Sequence, residues 1–480
     1  MKTIHEARQA LSDKKITPAE LIENTLAQIE SWNPIVHAFL EVLDDDARKQ
    51  VSSSEDTKKP LAGIPIAIKD NICTIEGHTT AASKILKNFT SPYEATVIKK
   101  LKEAGAIIIG KANLDEFAMG SSTEFSAYGV TRNPWDTSRV AGGSSGGSIV
   151  AVATGSALGA LGTDTGGSIR QPASFCSVVG VKPTYGRVSR FGAIAYGSSL
   201  DQIGPVAKTV KDSALLLEII AGHDPLDATS STEPVPKYTQ ACGKDITGLK
   251  VGVPREFMED TVDAEVKEIV TKAIEELKKQ GAVIKEISLP LTPAAVAVYF
   301  LIAKAEASTN LARFDAVRYG KVDAKEVELI ERYLEVRGSG FGPEVKRAIL
   351  MGTYALSAGY YDAWYKQAGK VRTLIKKEYE DAFKEVDVIV GPVSPEPAFM
   401  IGKKADDPLA MYLADALTVP QPIAGLPALS VPCGFTKEGL PVGLQVIASH
   451  FEESVMFQVA HAYEQANDWW KQEPKISVKS

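Results

Sequence analysis

The apolar positions near the start of the chain recur at helical spacing. Thr17-Pro18-Ala19-Glu20 reads as a capping box with proline at the first helical position. Leu21, Ile22, Leu26 and Ile29 then fall on one face of the predicted helix. The period changes to two at Ile64, Ile66 and Ile68, a strand pattern that leaves Lys69 at its end and on the opposite face. A helix over 95–104 and a strand over 106–110 follow. Further strands are predicted at 250–253, 386–390, 429–432 and 442–447, with long helical patterns at 263–280 and 344–378. Strands alternating with helices predict an α/β layered fold. The polar stretches 52–59 and 223–244 read as surface loops.

Composition narrows the class. With 44% hydrophobic and 24% charged residues among 480, the chain can bury a large core. Its net charge of −7 makes it a poor solo binder of nucleic acid, which calls for a basic footprint. Cys73, Cys176, Cys242 and Cys433 are widely spaced with no CxxC pair, so they read as free thiols in a reducing cytoplasm. No apolar run approaches the roughly 20 residues a membrane span needs. The softest stretch, 148–161, is broken by Gly155 and Gly159.

One segment departs from ordinary patterning: nine of the 26 residues in 142–167 are glycine. It holds Gly142-Gly143-Ser144-Ser145-Gly146-Gly147-Ser148 and runs into Gly162-Thr163-Asp164-Thr165-Gly166-Gly167-Ser168-Ile169-Arg170. A nucleophilic serine needs a base and backbone N–H groups for an oxyanion, and glycine-rich backbone before Ser168 suits that need. The plainer alternative is an anion-cradling nest or a simple turn. Lys69, at a strand end, would ordinarily be a solvated rim residue. Its apolar surroundings allow it instead to lose its proton and act as a base. None of the six histidines sits in a suggestive local pattern. Gly142 to Gly146 matches GxSxG, but the polar WDTSRVA before it is not the apolar strand that elbow requires. Gly105 to Lys111 mimics a phosphate loop, yet its core is the strand Ala-Ile-Ile-Ile, and Ala112 replaces the Mg²⁺-binding hydroxyl. No clustered His/Cys pattern suggests a metal site.

AIKDNI, then GGSSGGS, then GTDTGGSIRQPA, with Lys69, Ser144 and Ser168 spaced 75 and 24 residues apart, resemble the amidase signature family. The resemblance implies an α/β amidase-signature fold, a central mixed β-sheet sandwiched between layers of helices. It implies one domain over 1–480, with an N-terminal helical segment (about 1–60) and a largely helical insertion (about 255–385). It also implies a Ser-Ser-Lys triad of Lys69, Ser144 and Ser168, a cis peptide at Gly143-Ser144, and an oxyanion hole from the backbone N–H groups of Thr165, Gly166 and Gly167, with Ser168 itself. KANLDEFAMGSSTE, RNPWD, EASTNLARFDAVRYG, GPEVKRAILMGTYALSAGYYDAWY and MYLADALTVPQPIAGLPALSVPCG are similar to the glutaminase subunits of tRNA-dependent amidotransferases. That likeness implies glutamine as substrate, with Arg347 and Asp415 gripping its carboxylate and amino group. The ammonia would pass to a tRNA-binding kinase/transamidase subunit, the two being braced by a small third subunit. The kinase/transamidase partner would use ATP and Mg²⁺, no cofactor being bound by this chain, and convert Glu-tRNA(Gln), Asp-tRNA(Asn) or both. Such a complex is cytoplasmic and touches no membrane. Phe125, Ala316 and Pro422 depart from the usual Asn, Gly and Asn of that pattern and leave the pocket or tunnel lining open. The competing readings are a stand-alone amidase for small amides with the same triad, a non-enzymatic scaffold that keeps the fold, and a nucleotide-binding protein using its glycine-rich loops.

Overall fold

The computed structural model describes residues 1–52, 58–315, 317–319 and 328–475. Ala316 and residues 53–57 of the expected loop lie outside them. The capping box forms as written: Thr17 Oγ1 accepts the Glu20 N–H at 3.2 Å, and Glu20 Oε2 accepts the Thr17 N–H at 2.8 Å. The helix it starts, Pro18–Val36, buries Leu21, Ile22 and Ile29.

Among the described residues eleven strands form one mixed sheet. They are β1 Phe39–Val42, β2 Pro65–Lys69, β3 Ile107–Ala112, β4 Gly159–Asp164, β5 Val179–Lys182, β6 Gln202–Ala207, β7 Lys250–Pro254, β8 Val283–Ile287, β9 Val388–Pro392, β10 Ala428–Phe435 and β11 Pro441–Ala448. The order across the sheet is β1-β3-β2-β4-β6-β5-β10-β11-β9-β7-β8. β2 lies parallel to both β3 and β4, so the carboxyl ends of these three strands open on the same edge. Such an edge is where open α/β sheets bind ligands.

Alternation along the strands feeds two cores, one on each face. Ile66, Ile68, Ile108 and Leu161 belong to one; Ala67, Ile107, Ile109 and Ala160 belong to the other. Lys69 shares its face with Ala67, as the period of two requires. The helix that packs on that face, Gly146–Ala153, is buried all round. A helix without a polar side belongs in an interior. Together with β4 it accounts for most of the glycine-rich segment, which the apolar pattern alone did not resolve into elements.

Two expectations change. The helical pattern 344–378 is two helices, Pro343–Leu356 and Tyr365–Ala382. Ser357 turns extended (ψ 158°) and Gly359 takes φ +87°, a left-handed conformation that glycine adopts without strain. Residues 223–244 are not all surface: Tyr238 is fully buried, its ring 5.5 Å from that of Phe457. All four cysteines are free thiols, and among the described residues no helix is long and apolar enough to cross a membrane.

Candidate active site

Lys69 leaves the end of β2 and points under the start of the Gly146–Ala153 helix. Its side chain has no exposure. Nζ lies 2.8 Å from Ser144 Oγ, 2.8 Å from Ser145 Oγ, 2.8 Å from Thr163 Oγ1 and 3.3 Å from the Thr163 carbonyl. Burial lowers the lysine pKa to about 7, against the opposing pull of Asp115, Asp164 and Asp201. The neutral amine is therefore well populated near neutral pH.

The hydrogen bonds around it assign roles. Ser145 Oγ donates to the Thr163 carbonyl at 3.0 Å, so towards Lys69 it can only accept. Thr163 Oγ1 already accepts from Asn71 Nδ2 at 3.1 Å. The two N–H donors of a neutral amine can serve Ser145 and Thr163, which leaves its lone pair facing the Ser144 hydroxyl.

Ser144 follows a cis Gly143–Ser144 peptide, and its carbonyl accepts the Asp115 N–H at 3.2 Å. Ser168 reaches the same place by its backbone, its carbonyl accepting the Ser145 N–H at 3.0 Å. The Ser168 hydroxyl makes no hydrogen bond among the described residues. At 7% exposure Ser168 is the one member of the expected triad open to a ligand, for Lys69 and Ser144 have none.

The loop before Ser168 is held by Asp164. Its carboxylate accepts the N–H groups of Gly167 at 2.8 Å and Ile169 at 3.2 Å, and receives Arg170 Nε and Nη2, each at 3.0 Å. Burial pushes the Asp164 carboxyl up, but the Arg170 guanidinium outweighs it and holds the pKa below the usual value. Arg170 is fully buried and also reaches Gln421, Gln445 and the Thr418 carbonyl. Gly167 takes φ +134°, and a Cβ there would overlap the Thr418 hydroxyl, so only glycine fits.

This loop divides the expected oxyanion donors. The Gly167 N–H is engaged by Asp164, which corrects its expected role. The N–H groups of Thr165, Gly166 and Ser168 carry no hydrogen bond among the described residues, while the Thr165 hydroxyl donates to Asp201 at 2.7 Å.

Asp415 sits beside the nucleophile loop because Thr418 Oγ1 donates both to the Gly166 carbonyl, at 2.7 Å, and to the Asp415 carbonyl, at 3.1 Å. One carboxylate oxygen accepts from Ser121 Oγ. The other is buried with no partner among the described residues. Burial raises its pKa to about 7. Arg347 is half-exposed and paired with Glu344. Glu344 also takes Lys304 Nζ at 2.7 Å and the Tyr412 hydroxyl at 3.0 Å, and the Tyr412 carbonyl accepts the Asp415 N–H at 3.2 Å. Phe125 donates its N–H to Asp115 at 3.1 Å, and Pro422 is buried next to Gln421.

Sequence reading missed Ser145, Thr163, Asp164, Arg170, Asp115 and Ser121. Four of these lie inside the same motif strings as Ser144 and Ser168. Nothing in spacing, however, tells a lysine's acceptor from a loop brace.

The amidase family model matches residues 20–457. The chain is 54% identical over 480 residues to a glutamyl-tRNA(Gln) amidotransferase subunit of Geobacillus thermodenitrificans, covering 99% of both chains. It is 54% identical to the same-named subunit from Gloeothece citriformis, covering 99% of this chain and 100% of that one. The crystal structure of the corresponding Thermotoga maritima subunit superimposes with a TM-score of 0.84 at 43% identity, covering 99% of this chain and 98% of that one. A peptide amidase of Stenotrophomonas maltophilia superimposes at 0.83 with 28% identity, over 99% of each chain. With its buried lysine, paired serines and glycine-rich loop in one sheet edge, the chain belongs to the amidase family.

Proposed function

We propose that this chain is the glutamine-hydrolysing component of a glutamyl-tRNA(Gln) amidotransferase, and that its chemistry runs through Ser168, Ser144 and Lys69. Identity of 54% along nearly the full length of the amidotransferase relatives supports the assignment. The observation that carries the mechanism is Lys69 Nζ, buried and 2.8 Å from Ser144 Oγ. In this reading Ser168 Oγ attacks the side-chain carboxamide carbon of glutamine. Its proton passes to Ser144 as the Ser144 proton passes to neutral Lys69. The Thr165, Gly166 and Ser168 N–H groups hold the oxyanion. Lys69 returns its proton through Ser144 to the departing nitrogen, ammonia leaves, and water cleaves the acyl-enzyme. The unpartnered Asp415 oxygen receives the substrate ammonium, and Arg347 the carboxylate.

The assignment brings partners with it: a second subunit that uses ATP and Mg²⁺ to activate the aminoacyl-tRNA and takes up the ammonia, and a small third subunit, all in the cytoplasm. Ammonia release from glutamine by the purified chain, alone and with those subunits, tests it beside Ser168→Ala. Activity that depends on the partners and is lost in Ser168→Ala is the expected result. Partner-independent release from many simple amides would show a stand-alone amidase, and activity surviving in Ser168→Ala would overturn the mechanism.

A further inference from the structure

Asp115 lies three residues beyond the end of β3 and is fully buried. Its carboxylate is wrapped by one loop: Oδ2 accepts the Ser122 and Thr123 N–H groups at 3.3 and 2.9 Å, and Oδ1 accepts that of Phe125 at 3.1 Å. On its other side it presses on the backbone before Ser144. A Cβ at Gly143 would overlap Asp115 Oδ2, and the Asp115 N–H donates to the Ser144 carbonyl at 3.2 Å. The wrapped loop carries Ser121, whose hydroxyl donates to Asp415 and whose carbonyl accepts from Gln171 at 2.8 Å; Gln171 in turn accepts the Gly143 N–H at 3.1 Å. One buried acid thus touches both the bridging-serine corner and the loop that braces Asp415.

We infer that Asp115 is a positioning residue whose anion stabilises the ammonium formed on Lys69 when Ser168 attacks. The inference rests on Lys69 being the base of the proposed mechanism. A buried ammonium that appears during a reaction needs a fixed counter-charge near it. The other acids around Lys69 are already engaged. Asp164 is paired with Arg170. Asp201 accepts the Thr165 hydroxyl and the N–H groups of Tyr196 and Gly197. Asp70, next in the chain, accepts from Thr80 and faces Lys111 at 3.5 Å. Asp115 has backbone N–H partners alone and makes no salt bridge among the described residues; burial raises its carboxyl pKa to about 7, and Glu124 and Asp415, which act on it electrostatically, are acids. The Asp115 carboxylate lies against Gly143, the residue before Ser144, whose Oγ is 2.8 Å from Lys69 Nζ, and of the acids that hold the Lys69 pKa up it acts most strongly.

The test uses a fluorophosphonate probe on the isolated chain. The Ser168 Oγ–P bond forms, fluoride leaves, and the serine proton passes to Lys69, so the rate of labelling reports the neutral lysine without glutamine or partners. On this inference Lys69 and Asp115 bind protons anticooperatively in the native chain, so the acid limb should be shallower than a single ionisation. Asp115→Asn should cut the plateau rate tenfold or more and move the midpoint down by about one pH unit, because removing the anion favours the neutral amine. Ser121→Ala, which loosens the same loop but keeps the charge, should leave the midpoint in place. A native limb that fits one ionisation overturns the inference even if Asp115→Asn fails to fold. An unmoved midpoint in Asp115→Asn, or an equal shift in Ser121→Ala, overturns it too. Labelling that persists in Ser168→Ala would instead refute the mechanism on which it rests.

Discussion

Lys69 shows how position converts an ordinary side chain into a base. In water its charge is secure. At the end of β2, with no exposure and four oxygens around Nζ, the charged form loses its hydration and the pKa falls to about 7. The neutral amine dominates above that value, so glutaminase activity should rise through an acid limb near pH 7 and level off above it. Lys69 and Ser168 act on one proton. Lys69→Met and Ser168→Ala should each cost about four to six orders of magnitude in kcat, and the double variant should be no worse than the more impaired single one, because groups that act as a unit are not additive. Steady-state assays on the assembled complex check this. A double variant far below both singles would mean the two work independently.

Among the elements, the turn joining β4 to the helix Arg170–Cys176 holds the site's shape. Its order comes from one buried pair, Asp164 with Arg170, both without exposure. A buried pair adds little over a well-packed apolar pair, but removing one partner strands a charge. Arg170→Met should therefore cost about 3–5 kcal/mol, seen as a lower urea midpoint at unchanged slope, with Ser168 labelling lost in the fraction that remains folded. A variant as stable as the parent would show that Asp164 is held by its backbone N–H donors alone. The elements away from this turn follow their local sequence more closely. The capping box set the start of Pro18–Val36, and the alternation of isoleucines set β2. The helix expected over 344–378 broke at Ser357 and Gly359, where a periodic pattern gives no warning.

For the molecule as a whole, charge and topology decide what it does alone and what it leaves to others. A net charge of −7 offers few phosphate contacts. The isolated chain should hold tRNA no more tightly than about 10 µM at physiological salt, while the assembled complex binds well below that. Filter binding with and without the partner subunits measures it, and tight binding by the isolated chain would place tRNA on this surface. The sequence by itself determined the residue types and their local frame: the periods of helix and strand, the lysine at a strand end, and the two serines in glycine-rich backbone. Those are short-range properties, carried by neighbours in the chain. Only the tertiary structure decided that β3, β2 and β4 end together, so that residues 75 and 94 apart in sequence meet at Lys69 Nζ. It also decided that the Gly167 N–H serves Asp164, that Arg347 pairs with Glu344, and that Asp115 lies against Gly143. Burial and hydrogen-bond partners depend on what packs across the sheet edge, and no stretch of sequence contains its own packing partners.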